Sequence, residues 1–426
     1  MTGLLAAASE VDTGDTAWML TATALVLMMT PALGLFYAGL VRSKNTLNTF
    51  MMCIAAIAVA MVTWAAVGYS LAFDGTGDLI GGFNYAFLHG VTFVPREGTT
   101  IPHLVFFAFQ ATFCIITTAL VSGAVVERMR FSAFLVFAAL WSVLVYSVLA
   151  HWAFGGGWLF ERGTLDFAGG VPVEMGSGFS ALAAALVVGA RKDYGRQALL
   201  PHNAVFVLLG AGLLWFGWFG FNGGSGFSTG NPSVLAFTNT LLCPACTLLV
   251  WFALDAIRGR QVTAIGAATA IIVGCVGITP AGGFVSPGFA MLLGALVALP
   301  CYAVIVWRPR TRVDETLDVL AAHGIAGFFG ILFIGFFAQA SWNGVSDGFI
   351  FGNAGQLLDQ TLAAIAAPAY AFGATFLLLK AIGAVMPLRV TEHQEALGMD
   401  ITAHGEEAYA SGEGAILVAT SPPAAN

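Results

Sequence analysis

The chain has 426 residues, of which 58% are hydrophobic and 9% charged, with a mean hydropathy of +0.86 and a formal net charge of -7. A soluble protein carries about a quarter of its residues as Asp, Glu, Lys and Arg, and the apolar runs here repeatedly reach the ~20 residues that cross a bilayer, so a large soluble core is excluded. No basic patch is present, so no nucleic-acid partner is expected.

In chain order, the N-terminal MTGLLAAASE lacks a basic segment and has a very short apolar run, so no cleaved signal peptide is expected. Eleven spans follow, over about 17–40, 48–73, 102–124, 132–152, 170–190, 203–224, 233–256, 262–279, 288–307, 316–338 and 361–386. The basic residues orient them. Arg42 and Lys44 follow span 1, Arg128 and Arg130 span 3, Arg191, Lys192 and Arg196 span 5, Arg258 and Arg260 span 7, and Arg308, Arg310 and Arg312 span 9. Lys380 and Arg389 flank the end of span 11, so fourteen of the sixteen basic residues share one side, with only Arg96 and Arg162 opposite. The positive-inside rule then puts the N-terminus outside and the tail 387–426 inside.

Spans 1–5 (about 17–190) and 6–10 (about 203–338) form two halves of five. An odd number inserts the second half upside down. The predicted fold class is therefore an all-α integral membrane protein with a transmembrane domain over 1–386: an inverted repeat of five plus five helices and a C-terminal helix packed outside.

Within span 5 lies Glu174, and within span 10 His323, each in a long apolar stretch where an ionisable side chain is costly and marks a pathway or a partner. Asp166 precedes Glu174 by eight residues, and Glu315 precedes His323 by eight. This shared pattern points to one site at the seam of the halves. A carboxylate and an imidazole in contact can pass a proton as a coupled pair. The plainer reading is an ion pair that pins two helices. Two ligands are too few for a metal. Asp166 either caps span 5 or orients an outer cation site without touching it.

Aromatic residues gather with glycine at three places: around Phe113 in span 3, at His151-Trp152-Ala153-Phe154 ending span 4, and over Trp215–Asn222 in span 6. Ring faces around a hydroxyl such as Ser225 form a weak cation cage. Most such aromatics are packing or interface belt. The outer loops and span ends hold about ten acids against two bases, which attracts small cations. Six cysteines fall in apolar runs, and Cys243-Pro-Ala-Cys246 has no second pair or nearby His to complete a zinc set. No nucleophile–base motif accompanies the Glu/His pair, so an enzyme is not expected.

The segments VSGAVVERMRF (121–131), LDFAGG (165–170), GWFGFNGGS (217–225), ITPAGGF (278–284), AHG with its following glycine (322–327) and the tail LRVTEHQEALGMDITAHGEEAY (388–409) resemble the ammonium transporter family, Amt/Mep/Rh, on its Amt branch. The resemblance runs nearly the whole chain in order. It implies eleven spans, a homotrimer with one pore per subunit, recruitment of ammonium at an outer vestibule, and no cofactor. It makes Phe113 and Phe221 the stacked pair occluding the outer pore, Ser225 the vestibule serine, Asp166 the aspartate below the recruitment site, and His323 the second of two pore histidines; Thr279 lies in the matching turn. Two positions depart. Glu174 replaces the first pore histidine, as in some fungal Mep members. Phe154 stands where most relatives carry a cage tryptophan, and as a poorer cation-π partner it implies weaker outer affinity.

The expected function is ammonium uptake across the plasma membrane, with deprotonation, passage of ammonia and a proton relay through Glu174 and His323. The alternatives are an ammonium sensor with little flux and a less selective cation channel. The tail and the loop 191–196 either dock a PII-type regulator or brace neighbouring subunits.

Overall fold

The computed structural model describes residues 10–75 and 77–409. The signal-peptide expectation for the first residues and the tail beyond 409 lie outside the described residues.

Among the described residues ten helices are long and apolar enough to cross a membrane: Thr13–Leu40, Ser43–Phe73, His103–Ser122, Phe131–Glu161, Gly170–Val188, Ala204–Gly224, Asn231–Ile257, Pro287–Arg310, Leu320–Phe337 and Ala354–Val385. A shorter apolar helix, Ala264–Ile278, falls between the seventh and eighth of these. They are the eleven spans in order, and no strand occurs among the described residues. Polar side chains start several of them by taking an otherwise unpartnered N–H: Asp12 for span 1, Asn203 for span 6, Thr263 for span 8 and Asn353 for span 11. Large apolar residues such as Leu27, Val62, Leu209, Leu249 and Ile365 face outward. Outward apolar faces suit lipid rather than water.

Several boundaries differ from the sequence reading, among them the starts of spans 1 and 2 and the end of span 4, and three of the differences have a plain physical reason. Span 11 begins at Ala354, not near 361, because its first turns bury two amides. Gln360 accepts from Leu165 N at 2.8 Å and donates to Leu165 O at 2.8 Å, while Gln356 donates to Gly163 O at 3.1 Å. Hydropathy ends the span where those amides begin. Span 10 starts at Leu320 rather than 316, because Asp314 and Thr316 are tied to arginines and Asp318 takes a left-handed backbone, φ 58°. Span 8 is 15 residues, about 22 Å at 1.5 Å per residue, and gives way at once to the turn over 279–283.

Two corresponding pairs of spans from the two halves meet. Span 1 packs along span 6, where glycines admit the neighbouring backbone: a Cβ on Gly210 would stand 2.6 Å from Phe36 N. Spans 5 and 10 cross at the centre.

On the basic-loop side a buried ionic network ties the loops together. Glu127, fully buried, accepts from Arg42 Nε at 3.0 Å, Asn45 Nδ2 at 2.6 Å and Arg191 Nη1 at 2.6 Å. Arg191 also donates to both oxygens of Asp314. Arg128, wholly buried, donates to the carbonyls of Ala124, Gly189 and Asp314. These contacts hold Glu127 at φ 71°, a conformation otherwise unfavourable for a non-glycine residue. The tail closes over the same loops. Asp400 accepts from Leu47 N at 3.0 Å and Asn48 N at 2.8 Å, capping span 2, and Val390 N donates to Arg128 O.

This network makes stability depend on pH. Burial alone would push the Glu127 carboxyl up, but Arg191 and Arg42 bring it below the usual carboxylate value; Asp314 is raised by burial and lowered further by Arg191. A carboxyl depressed in the folded state stabilises it fully above the ordinary carboxylate range, roughly pH 4–5. That contribution fades as pH falls through the depressed folded value. Glu127→Gln is therefore expected to cost about 3 kcal/mol at pH 7, as for breaking a buried pair. The gap to the unsubstituted protein should narrow below pH ~4. Thermal unfolding in detergent from acid to neutral pH checks this; a gap that does not change with pH would refute it.

Candidate functional site

The last span of each half opens with a widened, π-helical turn: Gly170–Met175 in span 5 and Leu320–Ile325 in span 10. Such turns leave the regular ladder and recur at functional positions. Glu174 lies in one and His323 in the other. Asp166 holds the start of span 5, its Oδ1 accepting from Gly169 N at 3.0 Å and Gly170 N at 2.7 Å, and its Oδ2 from Val171 N at 2.8 Å. The equivalent acid in the second half is less well bound. Glu315 Oε2 accepts from Leu320 N at 3.3 Å, and Oε1 is buried without a partner.

At the crossing, Glu174 Oε2 and His323 Nδ1 are 2.7 Å apart. Glu174 is completely buried, His323 is 4% exposed, and the other Glu174 oxygen, Oε1, has no hydrogen-bond partner. One proton on the pair satisfies the contact, whichever of the two carries it. Glycines make this approach possible. Each half carries one four residues after its ionisable side chain: Gly178 after Glu174 and Gly327 after His323. A Cβ on Gly178 would stand 2.2 Å from Gly324 N, and one on Gly327 would stand 2.5 Å from Glu174 Cβ.

Two cavities meet at the pair. Toward the acid-rich side lies a narrow apolar space of about 20 Å³, lined by Phe221, Trp218, Leu120 and Val173 as well as Glu174 and His323. It holds about one water-sized molecule. Trp218 is steadied by donating Nε1–H to Thr279 Oγ1 at 2.8 Å. Toward the basic-loop side His323 lines a wider space of about 410 Å³, with Tyr37, Arg191, Tyr194, Arg308 and Asp318. Arg308 Nε donates to Asp318 at 2.7 Å there.

Phe221 closes the narrow cavity from the acid-rich side. Its ring lies 4.1 Å from that of Phe113, with 33° between the planes. Ser225 stands one turn further out and donates its hydroxyl to Phe221 O at 2.8 Å, leaving oxygen lone pairs free. Phe113, Phe221 and Ser225 are thus brought together. Phe154 ends the regular part of span 4 and is half-buried; among the described residues its ring pairs with none of these aromatics. Asp166 has both oxygens turned to the backbone of span 5. It supports the site and does not line it.

The described cysteines are all free, and no group of three metal-ligating side chains occurs among the described residues. Sequence reasoning missed the lining role of Trp218 and Val173, since an apolar residue facing a conduit and one facing a core look alike. It also missed the two glycines. Superposing the two ionisable stretches by their acids would have found them.

Over residues 17–409 the chain matches the profile of the Ammonium Transporter Family. An ammonium transporter of Bacillus subtilis is 43% identical over 399 residues, covering 93% of this chain and 98% of that one. The ammonium transporter Amt1 of Archaeoglobus fulgidus is 39% identical, over 93% and 99%. Among solved structures, the crystal structure of Candida albicans Mep2 superposes with a TM-score of 0.86 at 34% identity, over 90% of this chain and 88% of that one. A protein described as a sensor Amt protein superposes at 0.85 with 28% identity, over 92% and 98%.

Proposed function

This chain belongs to the ammonium transporter family, and from that premise we propose that it takes up ammonium by splitting it into ammonia and a proton. Ammonium is drawn to the acid-rich side and held near Ser225, over the faces of Phe113 and Phe221, with Phe154 standing off from those rings and Asp166 supporting the backbone of span 5 without touching the ion. An intact ammonium ion in the narrow apolar cavity would lose its hydration with nothing to replace it. Ammonia crosses instead, and the proton passes by way of Glu174 and His323 to the wide cavity, where the two recombine. One positive charge moves per ammonium. The observation that carries this is the 2.7 Å contact between Glu174 and His323 where the apolar cavity meets the wide one.

Orientation follows the arginines: the acid-rich side faces out, and the wide cavity and the tail face the cytoplasm of a plasma-membrane protein. We further propose a homotrimer. A PII-type regulator would dock on the basic-loop face, because the tail there grips the loops that surround the cavity mouth.

The test is paired measurement on proteoliposomes: labelled methylammonium uptake and ammonium-driven current on solid-supported membranes. The proposal expects both, with no potassium current. Phe113→Ala is expected to admit potassium, because removing one ring of the stack opens a wetted path; a variant that stays silent to potassium would overturn the gating role. A second reading, ammonium sensing, is favoured by the likeness to the sensor Amt protein. Binding without uptake would select it.

A further inference from the structure

On the acid-rich face only two basic residues occur, Arg96 and Arg162. Arg162 pairs with Asp359 at 2.9 Å. Arg96 makes no ion pair among the described residues; it gives its charge to rings. Its guanidinium lies 4.2 Å from the centre of the Phe106 ring and 4.9 Å from that of Phe73, and its Nη1 donates to the Tyr69 hydroxyl at 3.1 Å. The Tyr69 oxygen in turn sits 2.5 Å from His103 Nε2. A planar guanidinium stacked on aromatic faces and hydrogen-bonded at its edge has a fixed orientation. It fixes the rings it touches as well.

From that cage a line of rings runs inward. Phe106 lies 4.9 Å from Phe227. Phe227, two residues beyond Ser225, has φ 53°, a left-handed backbone that a bulky side chain rarely adopts. It is kept there by Phe106 on one side and Phe109, edge-on at 5.8 Å, on the other. Phe109 is 4.9 Å from Phe113, and Phe113 stacks on Phe221.

We propose that Arg96 is a positioning residue for the outer gate: it clamps Phe106 and, through Phe227 and Phe109, sets the ring of Phe113 over Phe221 beside the Ser225 hydroxyl. This rests on reading Phe113 and Phe221 as the gate. The clamp acts on recruitment rather than on the proton relay, so its loss weakens half-saturation and spares the maximal rate. A plain field effect has the opposite sign, because removing a positive charge near a cation entrance tightens half-saturation.

The experiment is methylammonium uptake by the full chain in proteoliposomes, with half-saturation and maximal rate measured separately. Arg96→Gln is expected to raise half-saturation roughly fivefold, the size of one partly shielded cation-π contact, at a nearly unchanged maximal rate. Arg96→Lys retains part of the effect. External guanidinium restores Arg96→Gln by refilling the cage, and does nothing to the unsubstituted protein. Phe227→Leu breaks the line further in, so adding Arg96→Gln to it brings no further rise. Unchanged or lowered half-saturation in Arg96→Gln overturns the proposal, as does a lowered maximal rate with reduced thermal stability alone, or full additivity with Phe227→Leu. A Phe113→Ala variant run alongside separates the premises. If it behaves as the unsubstituted protein, the gate reading fails; if it changes while Arg96→Gln does not, only the clamp fails.

Discussion

His323→Ala is expected to bring the ammonium-driven current down at least tenfold while methylamine permeation persists. The imidazole is the side chain that Glu174 Oε2 touches, and the other Glu174 oxygen already lacks a partner. Without the ring, the carboxyl stands alone in an apolar enclosure and neutralises rather than exchange its proton. A proton then meets a barrier higher by about 1.4 kcal/mol for each tenfold of lost current. Ammonia meets none, since the narrow cavity keeps its apolar walls and gains the space of a ring. Charge moved per molecule of substrate therefore falls toward zero. Glu174→Ala should fail in the same direction, because it removes the other half of one device. Solid-supported membrane currents beside labelled methylammonium uptake read both quantities, and a double variant that kept the original current would end the relay account.

The second large effect is expected at Gly178. Its would-be Cβ meets Gly324 N at 2.2 Å and Gly324 Cα at 2.3 Å, which are main-chain atoms with no rotamer to yield. Gly178→Leu must push spans 5 and 10 apart, and with them Glu174 and His323. Overpacking a core typically costs 1–3 kcal/mol where side chains can adjust, so a backbone-against-backbone clash should cost more, upwards of about 4 kcal/mol. Thermal unfolding in detergent and uptake should both collapse. Gly212→Ala is the control: it lies in span 6 with nothing within 4 Å of the added carbon, and should be neutral or slightly stabilising. If Gly178→Leu unfolded at the same temperature as that control, the crossing would not be as tight as described.

Much of this molecule was legible in the chain. Hydropathy found all eleven spans, because lipid leaves the backbone few choices. The rarity of ions in apolar runs singled out Glu174 and His323, and the matched acids at Asp166 and Glu315 tied them to one seam. What stayed hidden depends on which way a side chain faces. Gln356 and Gln360 turn inward to the backbone of the segment before span 5, so polarity alone cut span 11 short. Phe227 and Arg96 gave no signal because a left-handed phenylalanine and a stacked arginine arise only from tertiary contact. Phe154 was grouped with the gate rings by its place at the outer end of span 4, yet its ring pairs with none of them.

The Glu174–His323 contact also has an electrical meaning. With one hydrogen in the shared contact and another on the far imidazole nitrogen Nε2 the couple is neutral overall, and in that form a transmembrane voltage exerts no net pull on it. Only on gaining a further hydrogen does it become a cation, and only on losing one an anion; those are the states a field can favour, at up to about 2.3 kcal/mol per charge per 100 mV for a complete crossing. Voltage sensitivity should therefore be confined to the loading and unloading steps, and the idle transporter should be insensitive to the polarity of the membrane around it.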